Sequence, residues 1–355
     1  MPHVRIASTG GTIASTASHA EDGESGKTPS QSGDDLVDAV PEIGDHATID
    51  VENVCQVSGF QMNDEALERL ADAIDRAAAD GVDGVVVTHG TDTMAESAYA
   101  LDLACEATAD LPVVFTGAQR SFDQLGTDGP TNLLAAVRTA AHDRVRDGGG
   151  VYLTFNDTVH AARWVVKGHT SALETFESPG AGPVGEFAPD GLRFFREPGS
   201  YSASMPDATV RIDPDARVEI VTNALGVDGR QVERALSNTG ESESADENGT
   251  ETETGADGLV VAGTGLGNTT AELGDALESA IDDGVPVVLT SRCHAGPTAG
   301  VYGGDGGGKT LLEAGAISGG DLPPWKARLK LLLALSRGDD PDAVRNRFET
   351  ADSAT

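Results

Sequence analysis

Two phrases place hydroxyls beside glycines: Ser8-Thr9-Gly10-Gly11-Thr12-Ile13-Ala14 and Thr88-His89-Gly90-Thr91-Asp92-Thr93-Met94. A threonine oxygen becomes a nucleophile once a neighbouring base takes its proton, and glycines beside it let backbone N–H groups approach a ligand closely. Thr12 and Thr91 are therefore the first candidates for chemistry. Each phrase follows a short apolar run, 4–6 and 85–87, that reads as a buried parallel strand. Ligands in open α/β sheets bind where such strands emit loops at their carboxyl ends, so the two loops are expected to share one crevice.

The surrounding text supplies the elements such loops need. Strands are expected at 50–57, 85–88, 113–116 and 151–155, and helices at 64–79, 95–107 and 131–140. Within 64–79, Leu67, Leu70, Ala71, Ile74 and Ala78 recur at helical spacing and give one buried face. Alternation of this kind predicts an α/β fold: a larger N-terminal parallel-sheet domain with helices on both faces, plus a smaller C-terminal α/β domain. The stretch 17–33, rich in Ser, Gly, Asp and Glu, reads as a mobile loop that enters a helix near Asp34, placed as a lid beside Thr12. From 180 to 215 the chain is rich in Pro and Gly, with a short strand at 192–195 and no long helix. The expected division is 1–196 for the first domain, 197–213 for the linker and 214–355 for the second domain. That second domain repeats the alternation with strands at 218–221, 259–262 and 287–290 and helices at 231–236, 271–281, 324–336 and 342–348. Its insertion at 238–257 holds seven acids and no base, and too little apolar surface to offset the entropy of ordering it.

Composition narrows the function classes. A chain of 355 residues suits two domains. The formal net charge of −34 repels nucleic-acid phosphate and anionic lipid, so neither is an expected partner. Acid excess with only five lysines is the balance of a protein soluble in concentrated salt, and we read a halophile's cytoplasm. Three widely spaced cysteines, Cys55, Cys105 and Cys293, are expected as buried thiols without a disulfide framework. The N-terminus lacks a basic region followed by an apolar one, and no apolar run nears the ~18 residues of a membrane span, so a cytosolic protein is expected.

Three other patterns are set aside. Gly303-Gly304-Asp305-Gly306-Gly307-Gly308-Lys309-Thr310 satisfies the phosphate-loop spacing, but the preceding strand should end near Ser291, too early for such a loop. Gly263-Thr264-Gly265-Leu266-Gly267-Asn268 approximates a dinucleotide fingerprint, with Asn268 where its last glycine belongs, and reads as a substrate loop. His89, His142, His160, His169 and His294 are scattered without ligand spacing, so no metal or cofactor is expected, and His89 is assigned to orienting its loop.

The two threonine phrases resemble the active-site signatures of the bacterial-type L-asparaginase family. The resemblance extends through Thr116-Gly117-Ala118-Gln119-Arg120, Thr127-Asp128-Gly129-Pro130-Thr131-Asn132-Leu133, Asn156-Asp157-Thr158-Val159 and Lys326-Ala327-Arg328. It covers nearly the whole chain apart from 17–29 and an insertion at 241–257. It implies an amidohydrolase in which Thr12 attacks the side-chain amide of L-asparagine and water releases L-aspartate; L-glutamine is the other amide left open. It further implies that Thr91 and Lys167 activate the attacking group or water, and that Asp92 engages the substrate's α-amino group. A lysine suits that task because its proton affinity can be tuned, whereas arginine stays protonated. Ser58, Gly59 and Ala118 would help bind substrate, and Asn268 would complete a neighbouring subunit's site in a homodimer or homotetramer. An archaeal tRNA-dependent amidotransferase subunit and an inactive asparagine-binding module are the rival readings.

The chain departs from the family at three places. No tyrosine or other aromatic stands between positions 16 and 36, where the family has a lid tyrosine; Lys27 and Thr28 lie nearest in alignment, and Tyr302 elsewhere. Alignment on Met62-Asn63 puts Gly59 where the family has a carboxylate-binding serine, leaving Ser58 or backbone N–H groups to serve. Only Asp305 lies near the place of a family glutamate.

Overall fold

The computed structural model describes residues 1–19, 25–205, 210–237 and 255–351. They form two compact units, Met1–Arg211 and Ile212–Thr355. In chain order the first unit contains β1 (His3–Gly10), β2 (Ser15–His19), β3 (Ser25–Pro29), α1 (Gly33–Asp38), β4 (Thr48–Val57), α2 (Asp64–Ala79) and β5 (Gly84–Thr88). It continues with α3 (Met94–Ala104), β6 (Val113–Thr116), α4 (Gly129–Ala140), α5 (Asp143–Gly148), β7 (Val151–Phe155) and β8 (Thr158–Ala161). It closes with β9 (Val166–Lys167), β10 (Phe176–Glu177), β11 (Gly185–Ala188) and β12 (Gly191–Phe194).

Eight of these strands make one sheet, in the order β12-β11-β8-β7-β6-β5-β1-β4. From β7 to β4 every pairing is parallel. Every residue of β5 and β6 is buried, as strands covered on both faces must be. The helix α2 begins where Asn63 accepts the Ala66 N–H at 2.9 Å and buries Leu67, Leu70, Ala71 and Ile74, each large side chain contributing about 1.5–3 kcal/mol. Val4, Ile6, Val86, Val114 and Tyr152 from the strands join Leu133, Ala136, Val137 and Ala140 of α4 in the core.

The strand order decides where a ligand can sit. From β1 the chain steps to β4 on one side, then crosses to β5 on the other and proceeds outward through β6 and β7. The reversal lies between β1 and β5, and the crevice outside the carboxyl ends at such a point is where open α/β sheets bind ligands. Those two ends carry the two threonine phrases.

The sheet departs from an all-parallel reading at one edge. Asn156 and Asp157 adopt left-handed φ of 48° and 60°, which turns β7 back on β8 in an antiparallel hairpin, and β11 and β12 continue antiparallel. The expected lid loop is corrected as well: β2 and β3 form an antiparallel hairpin with Thr16 opposite Thr28, and α1 starts at Gly33. Positions 20–24 of that stretch lie outside the described residues, as do the side chains of 25–27. Of the cysteines only Cys105 is buried; Cys55 is half-buried and Cys293 exposed, all three as free thiols.

The second unit is smaller. It comprises β13 (Val218–Thr222), α6 (Arg230–Leu236), β14 (Gly258–Gly263), α7 (Ala271–Asp282) and β15 (Val287–Ser291). After them come α8 (Gly308–Ala314), β16 (Ile317–Ser318), α9 (Pro324–Ser336) and α10 (Pro341–Ala351). Its four strands pair in parallel in chain order, over a core that includes Val221, Val261, Leu273, Leu277, Leu289 and Leu311. Residues 238–254 of the acidic insertion lie outside the described residues. Among the described residues no helix is long and apolar enough to cross a membrane.

Candidate active site

Three glycines bring three loops into backbone contact at the switch point. Gly11, after β1, holds φ of 80°, and a Cβ built on it would lie 2.4 Å from the Gly90 nitrogen. A Cβ on Gly59, after β4, would lie 2.8 Å from the Gly90 carbonyl carbon. No side chain fits between these backbones, so Thr12 and Thr91 are each one residue beyond a direct loop-to-loop contact. The Gly11 N–H donates to the Val57 carbonyl at 2.9 Å, and the Thr93 hydroxyl donates to the Gly59 carbonyl at 2.7 Å, which ties the same loops together.

Lys167 reaches this corner from the far side of the sequence. The β7–β8 hairpin turns the chain back, the buried Val165 and Val166 anchor the next segment, and β9 ends on Lys167. Its Nζ donates to Thr91 Oγ1 at 2.9 Å and to Asp92 Oδ1 at 2.7 Å. The Lys167 side chain is 17% exposed and that of Asp92 51%, so the amine is largely screened from water while the carboxylate faces it. A protonated Lys167 holds Thr91 Oγ1 in place; a neutral one could take the proton of that hydroxyl.

The loop after β6 is held by the next helix. Asp128 accepts the Gln119 and Arg120 N–H groups at 3.0 and 2.9 Å, and Asn132 Nδ2 donates to the Gly117 carbonyl at 3.0 Å. Asn132 Oδ1 also accepts the Asn156 N–H at 3.0 Å, linking this loop to the hairpin turn that leads toward Lys167. The four-residue spacing of Asp128 and Asn132 at the start of α4 is the signal in the sequence that fits this clamp. Gly117 lies against Thr91, a Cβ there falling 3.6 Å from Thr91 Cγ2, and Ala118 beside it is fully buried.

His89 takes no proton here. Burial pushes its pKa down to about 4, and its Nδ1 donates to the Gly90 carbonyl at 2.7 Å, so the ring is neutral and shapes the Thr91 loop. Its Nε2 is buried with no hydrogen-bond partner among the described residues.

Residues 3–199 match the model of the asparaginase N-terminal domain, and 217–348 that of the glutaminase/asparaginase C-terminal domain. The chain belongs to the asparaginase family. It is 36% identical to the probable periplasmic L-asparaginase of Haemophilus influenzae, over 98% of this chain and 93% of that protein. It is 34% identical to a glutamyl-tRNA(Gln) amidotransferase subunit of Halobacterium salinarum, over 97% of this chain and 78% of that one. The crystal structure of a probable cytoplasmic L-asparaginase from Campylobacter jejuni superposes with a TM-score of 0.80 at 32% identity, covering 98% of this chain and 99% of that one.

Within this asparaginase fold the remaining candidates divide. Ser58 opens the short turn at Gly59–Gln61 and is half-buried; Gly59 is buried and occupied by its contact with Gly90. Asn268 belongs to the second unit, in a turn after β14, where Gly308 N–H donates to its Oδ1 at 3.0 Å. The phosphate-loop pattern leads into α8 with β15 already ended at Ser291, and its amide serves that asparagine. For the missing lid tyrosine, Thr28 is exposed on β3 opposite Thr16, and the Lys27 side chain lies outside the described residues.

Proposed function

We propose that the protein is an L-asparaginase that hydrolyses L-asparagine to L-aspartate and ammonia through a threonine nucleophile. The observation that carries this reading is the Lys167 amine bonded at once to Thr91 and Asp92 beside the Gly11–Gly90 contact. Thr12 Oγ1 attacks the side-chain carbonyl carbon, ammonia leaves, and water attacks the β-acyl ester to release aspartate and restore the hydroxyl. Thr91 and Lys167 accept the proton of the attacking group and return it to the leaving one. The solvent-facing side of Asp92 takes the α-amino group, Ser58 and the Gly59 turn serve the α-carboxylate, and Ala118 helps to bind the substrate. Asn268 completes the site of a neighbouring copy in a homodimer or homotetramer. No cofactor is required, and the cytoplasm of a halophile is the expected setting for a chain of net charge −34.

Ammonia release from asparagine and from glutamine, measured in molar salt with the chain as the sole protein, tests the reading. Release from asparagine supports it; a folded protein that binds asparagine without turnover would be an inactive binding module. The relatives named as glutamyl-tRNA(Gln) amidotransferase subunits favour a second reading, in which ammonia goes to a partner enzyme. That reading predicts negligible turnover until such a partner is added.

A further inference from the structure

Asn223, which follows β13, is 3% exposed and directs its whole carboxamide at one loop. Its Nδ2 donates to the Asn268 carbonyl at 3.2 Å and to Thr264 Oγ1 at 3.3 Å, while its Oδ1 accepts the Thr270 N–H at 3.3 Å. The loop so held closes on itself: Thr264 N–H donates to the Asn268 carbonyl at 2.8 Å, and Asn268 N–H to the Thr264 carbonyl at 3.0 Å.

The glycine run grips the same loop from its other side. Gly308 N–H donates to Asn268 Oδ1 at 3.0 Å. The Gly306 carbonyl accepts the Thr269 N–H at 2.8 Å and the Thr269 hydroxyl at 3.1 Å. Gly306 can approach so closely because it has no side chain; a Cβ there would lie 2.4 Å from the Thr270 carbonyl oxygen. The motif that spells a phosphate loop therefore has its amide on an asparagine.

An asparagine side chain has an acceptor end and a donor end, and a backbone N–H can bond only the acceptor. Gly308 thus settles which end of Asn268 is left over, and it is the N–H2. We infer that Asn223 is a positioning residue that, with the Gly306 and Gly308 backbone, fixes the Asn268 carboxamide as a pure donor for a carboxylate or amide oxygen of the bound amino acid. The inference rests on the asparaginase reading proposed above. It gives a reason for a buried asparagine just past the end of an edge strand.

A double-mutant cycle on kcat/KM for asparagine tests it, with Asn223→Asp and Asn268→Ala as the two arms. Aspartate keeps the shape and the acceptor toward Thr270 but turns an oxygen on the Asn268 carbonyl. Each single variant is expected to lose about tenfold, and the double variant no more than Asn268→Ala alone, because both act through one group. Asn223→Ala, which introduces no charge, should show the same pattern if the aspartate variant folds poorly. Hydrogen exchange should speed up across 264–270 and at Gly308 in either Asn223 variant. Losses that multiply in the double variant, or unchanged exchange, would overturn the inference. An inactive wild-type protein would sink the asparaginase reading instead, and exchange alone would then judge the clamp.

Discussion

The two units each present a polar corner after a parallel strand, and the corners are built on opposite plans. In the first, side chain meets side chain: the Lys167 amine lies on a hydroxyl and a half-exposed carboxylate. In the second, Asn223, Thr264 and Gly308 hold Asn268 and Gly306 holds the adjoining Thr269, all with neutral dipoles, so nothing in the grip titrates. Proton transfer needs groups whose charge can shift, whereas recognition is best served by dipoles that stay fixed. Under the proposed function, chemistry falls to the first corner and fit to the second.

The largest expected effects break the first corner. Thr91→Val, Lys167→Met and Thr12→Ala should each lower kcat by at least ~100-fold, the scale of losing a nucleophile or its activator, as followed by ammonia release. Lys167→Arg should fail as badly, since guanidinium stays protonated. Rescue by arginine would make this corner a site of fixed electrostatics as well and collapse the contrast.

Acid should distinguish the units next. His89 and His160 in the first unit are held neutral by burial, each with a pKa pushed down to about 4. The unfolded chain takes up those protons near pH 6.5, so stability falls as the pH drops from about 6.5 toward 4, by up to ~3 kcal/mol for each histidine. Urea midpoints at pH 7 and pH 5 should lie closer together in His160→Gln, which keeps a polar contact for Ser178 without the titration. An equal gap in both proteins would remove His160 from the acid sensitivity. The second unit's one histidine, His294, is exposed.

A smaller effect probes the loop contact itself. Gly59→Ser restores the residue the family pattern places there, yet its Cβ would meet the Gly90 backbone at 2.8 Å. A loss of about 1–3 kcal/mol in stability is expected, as for overpacked cores, with lower kcat/KM. A serine variant that melts unchanged and binds aspartate more tightly would mean that the loops separate easily.

How much of this was legible depended on the range over which each feature is determined. The helix at Asp64–Ala79 and the strands at Val113–Thr116 and Val151–Phe155 are set by local periodicity and capping, and the sequence predicts them residue for residue. The meeting of the two glycine-threonine loops was legible because each phrase directly follows a buried parallel strand. The β2–β3 hairpin was not, since its Ser, Gly and Thr content carries no alternating pattern. Nor was the antiparallel edge, which hangs on two non-glycine residues turning left-handed at Asn156 and Asp157. Asn223 was beyond reach for a different reason: its partners lie 41 to 47 positions away, and no local pattern marks a residue whose meaning is supplied by a loop that distant.

The same long reach bears on how the molecule comes to life. Lys167 meets Thr91 across 76 positions, and the Thr9 hydroxyl meets the Thr88 carbonyl across 79. Contacts of that separation form slowly, because chain closure must come before they contribute. A nascent chain that has left the ribosome only as far as β7 holds both threonines and not the amine that bonds Thr91. Amidase activity in a refolding experiment should therefore lag the return of helical signal, and the enzyme's own turnover becomes a clock for the last strands to dock.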